Sequence, residues 1–246
     1  MEILSMEKIV KKQKDIQLTE ITECLSSHYN DLMNLMSNFP VLKNHLKLIY
    51  FAGGAIRDCY HKHANGLIVE LDHGGDIDIY FRNQKLADNF FNQVMNCKDE
   101  FIQEMERQNH KVEIKSDQFS NLVRIFSDSL EYQIICGFAS QPNETIERFD
   151  FTANMCYFVP STELVYIKDS DAIKNKELVF NQNIEENNLK AVLILRAMKF
   201  QSKGWKMNQE SFNKLMSSIS DFDSKDLKSV TCKVLIENLK EKGLIA

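Results

Sequence analysis

The most confining stretch of this 246-residue chain is Gly74-Gly-Asp-Ile-Asp-Ile-Tyr-Phe81, where acid and isoleucine alternate along a run of strand formers. Side chains on a strand point alternately to opposite faces, so Ile77 and Ile79 are expected in a core while Asp76 and Asp78 stand together on the other face. Like charges at neighbouring same-face positions repel unless solvent or a divalent cation neutralises them, and paired hard oxygens suit Mg2+ bound to substrate phosphates. A solvated edge strand satisfies the same alternation, so the motif alone leaves both readings open.

Upstream, Phe51-Ala-Gly-Gly-Ala-Ile-Arg-Asp58 runs a strand into two glycines and starts a helix at once. Gly53 and Gly54 would let a phosphate approach the backbone, and the helix start offers N–H groups with a partial positive charge. Arg57, on the first helical turn, can add a charged fork to the same anion. A tight turn with a surface arginine is the plainer reading of the glycine pair by itself. Taken together, the two motifs describe a phosphate cradle facing a metal pair, which is what nucleotidyl transfer needs. A third carboxylate on an adjacent strand commonly completes such a site. Glu131, at the start of Glu131-Tyr-Gln-Ile-Ile-Cys-Gly-Phe138, is the first candidate and Asp128 the second, although Glu131 also suits a strand leaving a turn.

These motifs fall in an α+β pattern. Apolar residues at helical spacing (Ile16, Ile21, Leu25, then Leu32, Leu35, Met36, Phe39) break at Pro40 and resume with Val41, Leu42 and Leu46. Strand candidates then follow, around a long amphipathic helix expected over Gln84 to Arg107. Helices return over Glu185 to Lys203, Asn208 to Ser218 and Asp226 to Lys242. The expected organisation is a helical N-terminal segment (1–46), a head with a mixed sheet and flanking helices (47–170) and a helical neck (171–246).

Thirty Lys and Arg against 35 Asp and Glu give a net charge of −5, which excludes a wholly basic coat, so any nucleic-acid contact must be local. No run approaches the roughly 18–20 apolar residues of a membrane span, and the N-terminal stretch reads as neither signal peptide nor anchor. The six cysteines are scattered without a CxxC pair, which favours reduced thiols in a cytoplasmic compartment over a disulfide framework or zinc site. Cys59, His61, His63, Asp72 and His73 lie close in sequence, but their spacing fits no common metal-ligand pattern.

Four ordered motifs resemble those of the class II CCA-adding enzymes and poly(A) polymerases, within the polymerase-beta-like nucleotidyltransferases. The family's GGxxRD, DxD, RRDFT with a following Asn and Ala, and RAxRF correspond to Gly53-Gly-Ala-Ile-Arg-Asp58, Asp76-Ile-Asp78, Arg148-Phe-Asp-Phe-Thr-Ala-Asn154 and Arg196-Ala-Met-Lys-Phe200. The resemblance spans roughly residues 47–205. It implies that Gly54 and Arg57, with Gly53, hold an incoming triphosphate (ATP, CTP or both). It further implies that Asp76 and Asp78 bind two Mg2+ ions with Glu131 as third carboxylate, and that Arg148, Arg196 and Lys199 contact the nucleotide. Lys supplies 24 of the 30 basic residues, yet Arg57, Arg148 and Arg196 all fall in matched motifs, as expected where a guanidinium fork matters. Phe149 replaces the second arginine of RRDFT, Lys199 stands where RAxRF has arginine, and the family's EDxxR element has no clean counterpart.

Arg196, Lys199, Lys203 and Lys206 follow one another at steps of three, four and three, which on a continuous helix is one cationic face that could track an RNA backbone; a solvated charged face has the same spacing. The expected reaction is attack by an RNA 3′-hydroxyl, tRNA first, on the α-phosphate of a nucleoside triphosphate. Transfer to a protein or small-molecule hydroxyl, or nucleotide binding without turnover, are the alternatives.

Overall fold

The helices nearest the N-terminus form because their apolar residues share one side. α1 (Thr19–Leu35) buries Ile21, Leu25 and Leu32. α2 (Pro40–His45) opens on its proline, whose fixed φ and missing N–H suit a first helical turn, so the interruption falls at residues 36–39 and Pro40 starts the next helix instead of breaking one. The computed structural model describes residues 18–116, 121–128, 130–181 and 190–218, with residue 236 alone. Residues 1–17, most of the expected 226–242 helix and the start of the expected 185–203 helix lie outside them.

β1 (Ile49–Ala52) leads into α3 (Gly54–Ala64), and β2 (Gly75–Phe81) follows. The helix expected over Gln84 to Arg107 is two helices, α4 (Gln84–Asn96) and α5 (Lys98–Arg107). At Cys97 the backbone leaves the helical region (φ −116°, ψ 29°), and its thiol bonds the Gln93 carbonyl at 3.1 Å. That break aims Phe101 and Met105 into the core, with Phe101 edge-on to Phe39 at 5.2 Å.

β3 (Lys111–Ser116), β4 (Asn121–Phe126) and β5 (Leu130–Ile135) precede the short α6 (Pro142–Ile146), and β6 (Cys156–Val159) and β7 (Leu164–Ile167) complete a seven-stranded sheet in the order β3-β4-β5-β2-β1-β6-β7. β2 and β5 run parallel and every other neighbouring pair is antiparallel, so the sheet is mixed and the fold α+β. β3, β6 and β7 escaped the sequence reading. Cys156–Val159 is a continuous four-residue buried run with no alternation to detect, and Lys111–Ser116 is an edge strand with charged residues along it. After α7 (Ser170–Asn175), β8 (Glu177–Leu178) pairs in parallel with β9 (Lys206–Met207), with α8 (Lys190–Ser202) between them in sequence and α9 (Gln209–Ser218) beyond.

The sheet alternates as the acid–isoleucine pattern requires. Ile77, Ile79 and Phe81 join Phe51 in the large core shared with α1 to α5, where each fully buried Ile or Phe contributes about 1.5–3 kcal/mol. Tyr50, Ala52 and Tyr80 face a smaller cluster with Ile146, Met155 and Tyr157 on the opposite side. Asp76 and Asp78 project to that second side. Among the described residues no helix is long and apolar enough to cross a membrane.

Candidate active site

The strand-to-helix turn brings backbone against carboxylate. Gly53 has φ +84°, a conformation that strains any residue carrying a Cβ, and α3 begins immediately after it with no side-chain cap. A Cβ built on Gly53 would lie 3.8 Å from Asp78 Oδ2, and one on Gly54 would lie 4.0 Å from Asp76 Oδ1. The antiparallel register that places Ala52 opposite Asp78 fixes this juxtaposition. A cavity of about 190 Å³ is lined by the turn and the acids together. Tyr80, Phe149 and Phe200 give it apolar surface, while Arg196, Lys199 and Lys203 give it positive charge.

Asp78 is recessed and Asp76 is exposed. Burial pushes Asp78 up to about 7, the neighbouring Asp76 charge pushes the same way, and Arg196 and Lys199 pull it back only in part. The pair therefore carries negative charge that the protein does not fully neutralise, the condition a divalent cation relieves.

Arg57 is 5% exposed and works inside the protein. Its Nε and Nη2 donate to the two oxygens of Asp58 at 2.7 and 2.8 Å, and its Nη1 donates to Asn154 Oδ1 at 2.6 Å. Its guanidinium carbon also lies 5.0 Å from the Phe200 ring and 5.4 Å from the Trp205 ring, both cation–π distances. Arg57 thus ties the glycine turn, the 148–154 segment and α8 together while still lining the cavity.

Arg196 meets the buried Asp150. Nη2 donates to Oδ1 at 3.2 Å, and Nε lies 2.5 Å from Oδ2 as an ion pair off hydrogen-bond alignment. Asn181 holds the same segment by donating to the Glu147 and Phe149 carbonyls, each at 2.9 Å. Two motifs separate in sequence, 148–154 and 196–200, are thereby clipped against one another.

The cationic face is shorter than its spacing implied. α8 ends at Ser202, the chain turns through Gly204 at φ +81°, and Lys206 lies on β9 with its backbone N–H bonded to the Lys176 carbonyl. Lys206 is therefore on no helical face with Arg196, whereas Lys199 and Lys203 line the cavity. Arg148 is exposed, outside the cavity lining, with its guanidinium 4.4 Å from the Phe138 ring. Glu131 sits beside Asp76 in the parallel register, but Arg124 engages its carboxylate and also pairs with Glu113 at 2.8 Å. Among the described residues no group of three or more His, Cys, Asp or Glu side chains is gathered to hold a metal ion, so Glu131 does not close the aspartates into a cluster. The His-rich segment is structural: His61 bonds the Ile173 carbonyl at 3.0 Å, His63 pairs with Glu20 and Lys62 with Asp72.

Sequence reasoning missed Asp150 and Asn154 as holders of the two arginines, and missed Tyr80, Phe200 and Trp205. The signal was present for the first two, since both lie within the matched Arg148–Asn154 stretch. Phe149, noted only as a departure, is the residue a Gly53 side chain would meet, at 3.6 Å.

A protein-family model described as "Gad2: Gabija anti-defense 2 family protein" matches residues 19–177. No curated protein matches the chain in sequence. Among solved structures, the chain is similar to an apo CCA-adding enzyme at 16% identity and TM-score 0.48, covering 85% of this chain and 50% of that one. It is similar to a CCA-adding enzyme in complex with ATP at 15% identity and TM-score 0.49, again covering 85% and 50%. A tRNA-processing enzyme complex matches at 15% identity and TM-score 0.44, covering 80% and 53%. The chain spans about half the length of these structures.

Proposed function

The chain belongs to the Gabija anti-defense 2 family, and from that premise we propose that it counters defence as a Mg2+-dependent nucleotidyltransferase, moving a nucleotide from a triphosphate to an acceptor hydroxyl with release of pyrophosphate. One observation carries this reading: Asp76 and Asp78 stand beside the Gly53–Gly54 turn in the lining of one cavity, which Arg196, Lys199 and Lys203 also line. In this reading residues 47–170 are the catalytic head.

The donor set fits the metal. Asp76 and Asp78 would hold Mg2+; Glu131, beside Asp76 in the sheet register, would complete the set only if released from Arg124. The bound ion supplies Lewis-acid stabilisation of charge on the phosphoryl oxygens. The chain's own residues do the rest. The side-chain-free turn admits triphosphate oxygens to the start of α3, and Arg196, Lys199 and Lys203 balance their charge. The Phe149, Tyr80 and Phe200 rings offer apolar surface to a base, and Arg57 keeps the turn and α8 in register.

The acceptor we propose first is an RNA 3′ end, tRNA included, because Lys199 and Lys203 place positive charge at the cavity that a polyanionic strand would need. A second reading is a protein hydroxyl of the defence apparatus, favoured by the family's description and by the departure of Lys206 from the cationic face. The test uses α-labelled ATP, CTP, GTP and UTP with Mg2+, in separate reactions with total RNA, protein from Gabija-carrying cells, and the chain alone. Label in RNA supports the first acceptor and label in a defence protein the second. Asp76→Ala and Asp78→Ala are expected to abolish incorporation and pyrophosphate release while keeping the wild-type circular dichroism spectrum. Full activity in either variant would overturn the assignment.

A further inference from the structure

The proposed activity makes no use of a second constellation, where α1 and α3 lie side by side. Cys24 Sγ on α1 stands 3.8 Å from Cys59 Sγ on α3. The other described thiols point elsewhere: Cys97 to the Gln93 carbonyl, Cys136 to that of Ile134, and Cys156 to that of Gly53.

The two sulfurs differ in access. Cys59 is fully buried, whereas Cys24 is half-buried and lines an open hollow of about 580 Å³ with Ser27, His28, Leu67 and Ile68. They also differ electrostatically. The hydrogen bond shared with Cys59 is the main influence that lowers the Cys24 thiol from its ordinary range. Burial opposes that shift, and the neighbouring His28, one helical turn on, reinforces it. The same Cys24–Cys59 bond, together with burial, drives the Cys59 thiol far upward. The reachable sulfur is thus the one whose ionisation the surroundings favour. That is the division of labour between an attacking and a resolving thiol. A pair serving only to fill the core would have no reason to open one sulfur to a hollow beside an imidazole.

We propose that Cys24 and Cys59 form a reversible dithiol–disulfide site that takes a low-molecular-weight disulfide in the hollow beside α1. Cys24 thiolate attacks one sulfur of the small disulfide, forming a mixed disulfide and expelling one small thiolate, which takes up a proton. Cys59 attacks Cys24 Sγ as its proton passes to the departing small thiolate, forming the internal disulfide and releasing the second small thiol. The protein is oxidised by two electrons and the small disulfide is reduced to two thiols. A disulfide bond is about 2.05 Å long, so forming it closes the 3.8 Å gap between the sulfurs and crosslinks α1 to α3. Cys59 lies two residues beyond Arg57, so the crosslink would form on the helix that opens at the cavity.

The test is independent of turnover. The full chain, reduced, is given limiting iodoacetamide, and separately oxidised glutathione followed by alkylation, digestion and mass mapping. Cys24 is expected to label roughly tenfold faster than Cys97, whose thiol is raised by burial and by Glu100. Glutathione disulfide is expected to yield a Cys24–Cys59 linked peptide pair that dithiothreitol dissolves. Cys59→Ser should instead accumulate glutathione on Cys24, and Cys24→Ser should leave Cys59 unmodified. Labelling of Cys24 no faster than Cys97, or glutathione that stays on wild-type Cys24 without passing to Cys59, would overturn the proposal. Both decisive readouts use the wild-type chain, so neither depends on a variant folding.

Discussion

At Asp78 the chemistry of the site and the stability of the chain pull in opposite directions. Its carboxyl is raised from an ordinary 3.8 to about 7, so between those values the folded chain holds a proton that the unfolded chain has lost. Folding stability from this group is therefore complete below the lower value and is lost as pH rises through the upper one. Asp78→Asn removes the dependence. The metal-free variant is expected to match wild type near pH 4 and to exceed it at pH 8 by on the order of 1–3 kcal/mol, with partial solvation of the cavity discounted. Thermal melts in chelator at the two pH values check this, and a variant less stable at pH 8 would contradict it. Mg2+ added below pH 7 must displace that proton, so its apparent affinity should weaken as pH falls. The acid pair itself was legible in the sequence because strand alternation is local. The upward shift was not, because it comes first from the burial that folding imposes on Asp78, with Asp76 adding to it and Arg196 and Lys199 of α8 opposing it.

Between elements, the contact that matters most is Asp150 against Arg196, joining the 148–154 segment to α8. Asp150 is 5% exposed, so removing its partner strands a buried carboxylate. Arg196→Leu is expected to destabilise by about 1–3 kcal/mol, reduced from the fully buried case because the Arg196 side chain is 41% exposed. Asp150→Asn combined with Arg196→Leu should recover most of that loss, and urea titrations of the single and double variants measure the coupling. Sequence periodicity gave α1, α3 and the strands around the cavity. It overran at Cys97, and the cationic stripe, though not the helix expected over Glu185 to Lys203, was carried past Ser202: spacing continues across a break when the following residues still suit the helical period, and what stops the helix is tertiary. Phe101 must reach Phe39, and Trp205 must reach Phe200 and Arg57. The placement of Arg148 over Phe138 and of Glu131 with Arg124 was likewise invisible, since the first depends on how the loops after β5 and α6 meet and the second on β4 pairing with β5.

Across the whole molecule, the sheet separates two kinds of surface. One side is the shared apolar core with the paired thiols at its edge, and the other carries the acids, the smaller aromatic cluster and the cavity. The α+β pattern was readable because helices and strands alternate in composition, but the strand order β3-β4-β5-β2-β1-β6-β7, with its single parallel pair, was not. It is this order that puts Asp76 next to Glu131 and Ala52 next to Asp78. Trp205 is the chain's sole tryptophan, buried against Phe200 and within 5.4 Å of the Arg57 guanidinium at the wall of the cavity. The protein thus carries its own optical reporter. Titrating ATP or CTP should shift or quench the indole emission in a saturable way, with no dye attached, and the Asp76→Ala chain supplies the control for metal-assisted occupancy.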